Sequence, residues 1–250
     1  MNQKKRIVIV GATSAMATHC ARLWVQGQNA DVMLIGRNIE KLERLANDLR
    51  ARSANSIVSV MQTDFTKASD IQLTINAVAA SGNIDIALIA HGSLSDQQQC
   101  EDDLSICQQE LELNGISPVL FAEGFVKKMV AVNHGTVAVI GSVAGDRGRK
   151  SNYVYGAAKG LVTRYMQGLQ HRLAATRVKV VLIKPGPTDT PMTAALKAKG
   201  AKLASVEDVA DQIVAAVESG KPVVYVPGKW WLIMMIIRHL PAFIFNKMNI

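Results

Sequence analysis

Seven short runs rich in valine and isoleucine punctuate the chain: Ile7–Val10, Val32–Ile35, Ile57–Met61, Ile84–Ala90, Thr136–Ile140, Val178–Ile183 and Val223–Val226. Polar residues do not alternate within them. Such runs predict strands covered on both faces, as in a parallel sheet. The longer stretches between them carry helical spacing instead: Ala15–Gln28, Ile39–Arg52, Ser69–Ser81, Leu111–Val132, Tyr153–Thr176 and Val206–Ser219. In the second of these, Leu42, Leu45 and Leu49 fall on one stripe. Strand and helix in steady alternation predict right-handed βαβ units and one α/β domain, a doubly wound parallel sheet of about seven strands with flanking helices. Ligands of such sheets bind beyond the carboxyl ends of the strands, so candidate chemistry is sought there.

Composition agrees with a single packed core. Of 250 residues, 49% are hydrophobic and 19% charged, which excludes a disordered chain. No run reaches the eighteen uncharged apolar residues of a spanning helix. Met1–Arg6 leads directly into the first strand-like run, so no signal peptide is expected and the expected location is the cytoplasm. Cys20, Cys100 and Cys107 are too few for a disulfide framework and are read as reduced thiols. The five histidines show no metal-ligand spacing, and no metal is expected. The 28 Lys and Arg against 20 Asp and Glu leave a net charge of +8, which suits phosphorylated cofactors, acidic lipid heads or nucleic acid. The positive charge is not interleaved with aromatics on a recognisable module, so nucleic acid is not the expected partner.

After the first strand comes Gly11-Ala12-Thr13-Ser14-Ala15-Met16-Ala17, and then a helix. A tight turn of small residues at a helix N-terminus offers unpaired N–H groups and the positive end of the helix dipole to an anion. Gly11 supplies the turn, and Ala15 and Ala17 keep the backbone approachable. The alternative is an ordinary strand–helix connection. The second strand ends Gly36-Arg37-Asn38, where an NAD site would place a carboxylate on the ribose 2′-hydroxyl. Arg37 stands there instead. A guanidinium pairs with a 2′-phosphate in fork geometry, so the expected cofactor is NADP(H) rather than NAD(H). A solvated arginine at a helix start is the plainer alternative.

Tyr155 and Lys159 are four residues apart and share a helix face, so phenol and ammonium lie close. A neighbouring cation stabilises phenolate, which predicts a Tyr155 pKa below about 10 and a role in general acid–base catalysis. Ser142 follows the fifth strand and could hold a substrate oxygen. With these residues in order, the sequence resembles the short-chain dehydrogenase/reductase family from about Ile7 to Val226. The resemblance runs through the Gly11 turn, Asp64, Ala90-His91-Gly92, Asn114, Ser142, Tyr155, Lys159 and Pro185-Gly186. It implies a Rossmann-type fold, hydride transfer between nicotinamide and a ketone or secondary alcohol, and a homodimer or homotetramer. It also implies roles. Asn114 would fix a water leading to Lys159, Ser142 would polarise the carbonyl, Tyr155 would exchange the proton, and Lys159 would hold the nicotinamide ribose. Gly11, Thr13, Ser14, Ala15 and Met16 would cradle the pyrophosphate. Asp64 and Phe65 would lie by the adenine, Ala90, His91 and Gly92 would line the cofactor, and Pro185, Gly186 and Thr188 would flank the carboxamide. The chain departs from the family pattern at Ala15 and Ala17, where glycines are usual, and at His91, where an asparagine is. His91 is either a structural hydrogen-bonder or a contact to cofactor or substrate.

Residues 1–228 are expected to form the dinucleotide-binding domain and 229–250 an apolar, basic C-terminal segment. Within it, Trp230–Ile237 is apolar on every side of a helix. Eight residues rise only about 12 Å, too short to cross a bilayer. Paired tryptophans with Arg238 and Lys247 beyond suit a helix lying in a membrane surface; a subunit interface or a lid over the cleft is the alternative. More loosely, this tail resembles that of reductases that work with an oxidase to epimerise decaprenylphosphoryl ribose, which implies a lipid-linked ketone substrate and a peripheral position on the inner membrane face. The alternatives are a soluble 3-oxoacyl-thioester or small-carbonyl reductase, and a dinucleotide-binding protein without catalysis.

Overall fold

The computed structural model describes residues 4–27 and 29–248. In chain order the elements are β1 (Lys5–Val10), α1 (Ala15–Gly27), β2 (Ala30–Gly36), α2 (Ile39–Arg52), β3 (Ile57–Gln62), α3 (Ala68–Ala80), β4 (Ile86–Ile89), α4 (Gln97–Asp102) and α5 (Leu104–Leu111). A π-helical turn (Glu112–Ile116) leads into α6 (Ser117–Ala131), followed by β5 (Thr136–Ile140), a 3-10 turn (Val143–Asp146), α7 (Tyr153–Arg172) and β6 (Lys179–Pro185). A second 3-10 turn (Pro191–Thr193), α8 (Ala194–Ala198), α9 (Val206–Ser219), β7 (Val223–Val226), α10 (Lys229–His239) and α11 (Ala242–Phe245) complete the chain. The seven strands form one parallel sheet in the order β3-β2-β1-β4-β5-β6-β7, the doubly wound topology expected.

The unbroken apolar strands follow from cover on both faces. Ile7, Ile9, Val32, Leu34 and Leu88 pack with Trp24, Leu42, Leu49 and Ile213 on one side. Val8, Val10, Ile89 and Val139 pack with Ile75, Phe121, Phe125 and Met166 on the other. The leucine stripe of α2 is buried as its spacing predicts. Burying each such side chain contributes roughly 1.5–3 kcal/mol. Helix propensities of ordinary residues differ by less than about 1 kcal/mol. Burial therefore holds α2 on the sheet, and Asn38 starts it by accepting a hydrogen bond from the Lys41 amide at 2.8 Å.

Some expected boundaries differ by more than a residue or two. The helix placed at Leu111–Val132 is three elements, because helix begins at Leu104 and the π turn interrupts it around Asn114. The segment before it is helical through caps rather than an apolar stripe: Asp96 and Asp103 accept from the amides of Gln98 and Ser105 at 2.8 Å each. The helix expected to reach Thr176 ends at Arg172, and Thr176 donates back to the Leu173 carbonyl. Gln28, the expected last residue of the first helix, lies outside the described residues.

The sheet order reverses between β1 and β4, which opens a crevice at their carboxyl ends. Gly11 and Ala12 donate to the Ile35 carbonyl at 2.8 and 3.1 Å, tying the first turn to β2. Gly11 has φ 77°, and a Cβ there would lie 2.6–2.7 Å from the backbone of His91. The two strand ends approach more closely than any side chain permits. Gly11→Ala is expected to lower stability by about 2 kcal/mol or more, combining a left-handed backbone with this overlap. Gly168→Ala, in the interior of α7 with nothing within 4 Å, is expected to raise it by roughly 0.5–1 kcal/mol. Denaturant titration of both variants checks the opposite signs.

Candidate active site

A groove of about 490 Å³ runs along the crevice. Gly11, Thr13, Ser14, Ala15 and Met16 line it from the first turn, Arg37 and Phe65 from the ends of β2 and β3, and Ala90, His91 and Gly92 from the end of β4. The Arg37 guanidinium stands 6.0 Å from the Phe65 ring centre, Lys41 is beside it, and no carboxylate is among the lining residues. Asp64, expected beside the adenine, does not line the groove. Its carboxylate accepts from the amide and hydroxyl of Thr66 at 2.8 and 2.7 Å, and these bonds hold its pKa below the usual range.

His91 is buried against Phe65 and Phe121, with its Nε2 2.8 Å from the Ser117 hydroxyl. Burial, with Lys159 and Arg37 nearby, pushes its pKa down to about 3, so the ring is neutral. Its Nδ1 is buried without a hydrogen-bond partner among the described residues. Both readings of His91 thus find support: it braces the fold through Ser117, and it lines the groove.

The groove opens into a second cavity of about 420 Å³, walled by Asn114, Ser142, Tyr155, Lys159, Pro185, Gly186 and Thr188. Every expected site residue except Asp64 therefore lies along one continuous cleft. Lys159 and Tyr155 share a face of α7 as their spacing requires, with Nζ 5.7 Å from the phenol ring centre. The expected fall in the Tyr155 pKa does not occur. Burial dominates and pushes it up to about 12; a hydrogen bond from Ser142 and the charge of Arg149 lower it, while Glu110 raises it. Lys159 is not among the groups acting on it. Lys159 is itself 3% exposed, donates to the Ile140 carbonyl at 3.2 Å, and is pushed down to about 8 by burial.

Glu110 was not among the expected site residues. It is buried at the end of α5, one helical turn before Asn114, and accepts from the Asn114 amide at 2.8 Å. It also accepts from the hydroxyls of Ser93 and Ser95. With Nδ2 so engaged, the Asn114 Oδ1 accepts from the Ser93 amide at 3.0 Å and lies where a Cβ on Gly92 would be. Glu110 acts on both Lys159 and Tyr155, raising each pKa. A carboxylate at i, four before a polar site residue at i+4, is the sequence signal that points to it.

The tail supplies another unexpected wall. The Trp230 indole occupies the space a Cβ on Gly186 would need, and it lines the second cavity. Arg147, five residues after Ser142, donates to the carbonyls of Ile237 and Leu240 at 2.6 Å each and stacks 3.8 Å from the Phe245 ring centre. Met234 is buried, whereas Trp231, Leu232, Ile236 and Phe243 are exposed, Phe243 by 70%.

A doubly wound sheet with a glycine turn at its switch point, and a serine, tyrosine and lysine beyond β5, defines a dinucleotide-dependent oxidoreductase class. The short chain dehydrogenase family model matches residues 5–201, and the chain belongs to that family. An uncharacterized oxidoreductase of Mycobacterium tuberculosis is 30% identical over 97% of this chain and 96% of its own. Another, from Staphylococcus aureus, is 30% identical over 88% and 93%. A short-chain type dehydrogenase/reductase from Mycobacterium ulcerans superposes with a TM-score of 0.81 at 22% identity, covering 99% of both chains. An alcohol dehydrogenase from Thermococcus sibiricus, complexed with 5-hydroxy-NADP, gives 0.76 at 18% identity over 86% and 91%. The chain is thus an NAD(P)-dependent hydride-transfer oxidoreductase.

The groove fits its cofactor on two counts: the Gly11 approach leaves the backbone bare, and a side chain at position 92 would fill the space before Asn114 and Lys159. Glu110→Gln removes the charge that raises Lys159, so the Lys159 titration is expected to move below about 8. Carbon-labelled lysine observed by NMR in cofactor-free protein reads this directly; an unmoved titration removes the electrostatic role of Glu110. Glu110→Leu, which strands the Asn114 and serine donors, is expected to cost about 3 kcal/mol in denaturant titration.

Proposed function

We propose that the chain is an NADPH-dependent ketone reductase whose substrate is lipid-like or lipid-linked, working at the cytoplasmic face of a membrane. The observation that carries the proposal is the position of Trp230. Trp230, in the first turn of the apolar tail helix, walls the cavity that holds Ser142 and Tyr155, while Trp231, Leu232 and Ile236 of the same helix are exposed. A substrate with an apolar chain would then pass from a membrane surface along the tail to the cavity. No described helix is long and apolar enough to cross a membrane, which leaves an interfacial position for the tail.

Within the cavity, Ser142 and Tyr155 are the donors for the carbonyl oxygen. A phenol with pKa near 12 is protonated at neutral pH, so Tyr155 begins as the acid that a ketone becoming an alcohol requires. Lys159 would hold the nicotinamide ribose, and Asn114, fixed by Glu110, would keep a polar path from Lys159 towards Ser93. When bound, the nicotinamide supplies the hydride. Arg37 and Lys41, with no carboxylate lining that end of the groove, support a 2′-phosphate and hence NADPH. Exposed Ile116, Leu120 and Leu161 beside α6 and on α7, helices joined by Glu123 to Tyr165 and Arg172, support a homodimer through that side. A soluble 3-oxoacyl-thioester or small-carbonyl reductase is the second reading; the exposed tail residues favour it only if a second subunit covers them.

Wild-type protein is expected to prefer NADPH, and Arg37→Asp to lose at least tenfold of that preference. NADH preferred by the unaltered protein would sink the 2′-phosphate argument. Flotation with anionic liposomes separates the two substrate readings: wild type is expected to float, and a Trp231→Ser/Leu232→Ser/Phe243→Ser variant, altered only at exposed positions, to stay behind. Equal partitioning of both, with a larger mass for wild type in light scattering, would support the soluble reading.

A further inference from the structure

The segment between β5 and α7 carries four charged side chains besides Ser142, and three of them are accounted for. Asp146 is paired in the interior with Lys184 and accepts from the Tyr225 phenol at 2.7 Å. Arg147 holds the tail carbonyls. Lys150 is exposed. Arg149 does something different: it lies on the wall of the cavity that contains Ser142 and Tyr155. Its Nε is shut off from solvent with no hydrogen-bond partner, and among the described residues no carboxylate pairs with it.

A guanidinium stays charged under nearly all conditions, so it cannot escape this position by losing its proton. A buried donor without an acceptor costs about 1–3 kcal/mol, more when charged. The rest of the cavity does not relieve it. Three cations, Arg149, Lys159 and Lys202, line the cavity, and no aspartate or glutamate does. Leu94, Val143, Met192, Leu196 and Trp230 give the wall its apolar part, and Ser151, Asn152, Thr190 and Thr193 add neutral polar groups but no charge. A cavity with apolar walls, a reactive hydroxyl pair and a guanidinium whose Nε has no acceptor fits a ligand with a carbonyl, an apolar body and one anionic oxygen group.

We propose that Arg149 determines substrate specificity by pairing, through its planar fork, with a carboxylate or phosphate oxygen on the ketone. This rests on the reductase reading above and narrows it to anionic ketones whose charged group lies within the same cavity as the carbonyl. Burial lowers the Arg149 pKa and the Tyr155 hydroxyl raises it, which sets the two side chains within electrostatic reach of each other.

The test is a titration of the NADPH-saturated protein with phenyl phosphate, benzoate and neutral benzyl alcohol, read by tryptophan fluorescence, for which Trp230 is the reporter in the cavity wall. Saturating NADPH keeps the probes off Arg37. The expected result is that one or both anions bind wild type at least tenfold more tightly than Arg149→Gln, while benzyl alcohol binds the two alike. Arg149→Lys is expected to recover part of the affinity, because it restores charge without the fork. Tight phenyl phosphate with weak benzoate assigns the oxyanion to a phosphate; the reverse assigns a carboxylate. Equal anion affinity in wild type and Arg149→Gln, or no anion preference over benzyl alcohol in wild type, overturns the proposal. NADPH affinity, titrated separately, is expected to be unchanged in Arg149→Gln. Failure of wild type to bind either NADPH or NADH would sink the reductase reading, and the anion titration without cofactor would still decide the role of Arg149.

Discussion

The ammonium of Lys159, 3% exposed and anchored by one backbone carbonyl, is the constraint around which the rest of the site is arranged. Placing a cation where water does not reach costs several kcal/mol, which is why its pKa falls to about 8. The fold offsets that cost with groups from separate elements. Ile140 at the end of β5 gives the acceptor, and Glu110 at the end of α5 gives the opposing charge. The glycines near it are where chain segments meet at backbone distance. A Cβ on Gly145 would lie 2.6 Å from the Lys159 carbonyl, and one on Gly92 would press on Asn114 at 2.7 Å. The Lys159 backbone and the Asn114 side chain therefore limit how close the turn after β5 and the end of β4 can come to α7 and the π turn.

The phenol beside it obeys burial more than charge. Proximity of Lys159 to Tyr155 is real, yet other groups set the phenol: desolvation and Glu110 raise it, while Ser142 and Arg149 lower it. An acid held protonated suits donation to a ketone oxygen. An anion on Arg149 would cancel one of the two influences that lower the phenol. Substrate recognition and proton donation would then reinforce each other: the charged substrate itself would help keep Tyr155 in its donor form.

The doubly wound parallel sheet was legible because buried parallel strands leave unbroken apolar runs, and the α2 leucine stripe leaves a clear period. The Tyr155–Lys159 spacing and the Gly11 turn were legible because local geometry alone brings their groups together. The π turn was not, since one extra residue in a helix leaves no mark on apolar periodicity, and it is this turn that carries Asn114. The helices α4 and α5 were hidden for a related reason: caps and glutamine pairs, such as Gln98 to Asp102 at 3.1 Å, replace an apolar stripe. The partners of Asp64 were not legible either: a short turn gives its carboxylate near donors at Thr66. Trp230 reaches Gly186 only through the fold, across 44 positions of sequence.

The tail and the site form one mechanical unit. An eleven-residue helix such as α10 is marginal in water by itself, so its order must come from what it touches. Trp230 on Gly186 holds its first turn, Met234 is buried along its middle, and Arg147 satisfies carbonyls at its end, where a cation also complements the helix dipole. Arg147 belongs to the segment that carries Ser142 and Arg149, and the Asp146–Lys184 pair pins that segment to β6. A tail seated on a surface through Trp231 and Phe243 is thus coupled, by a few side chains of one loop, to the hydroxyl and the guanidinium that meet the substrate. The apolar helix cannot be released from the domain without loosening the cavity wall.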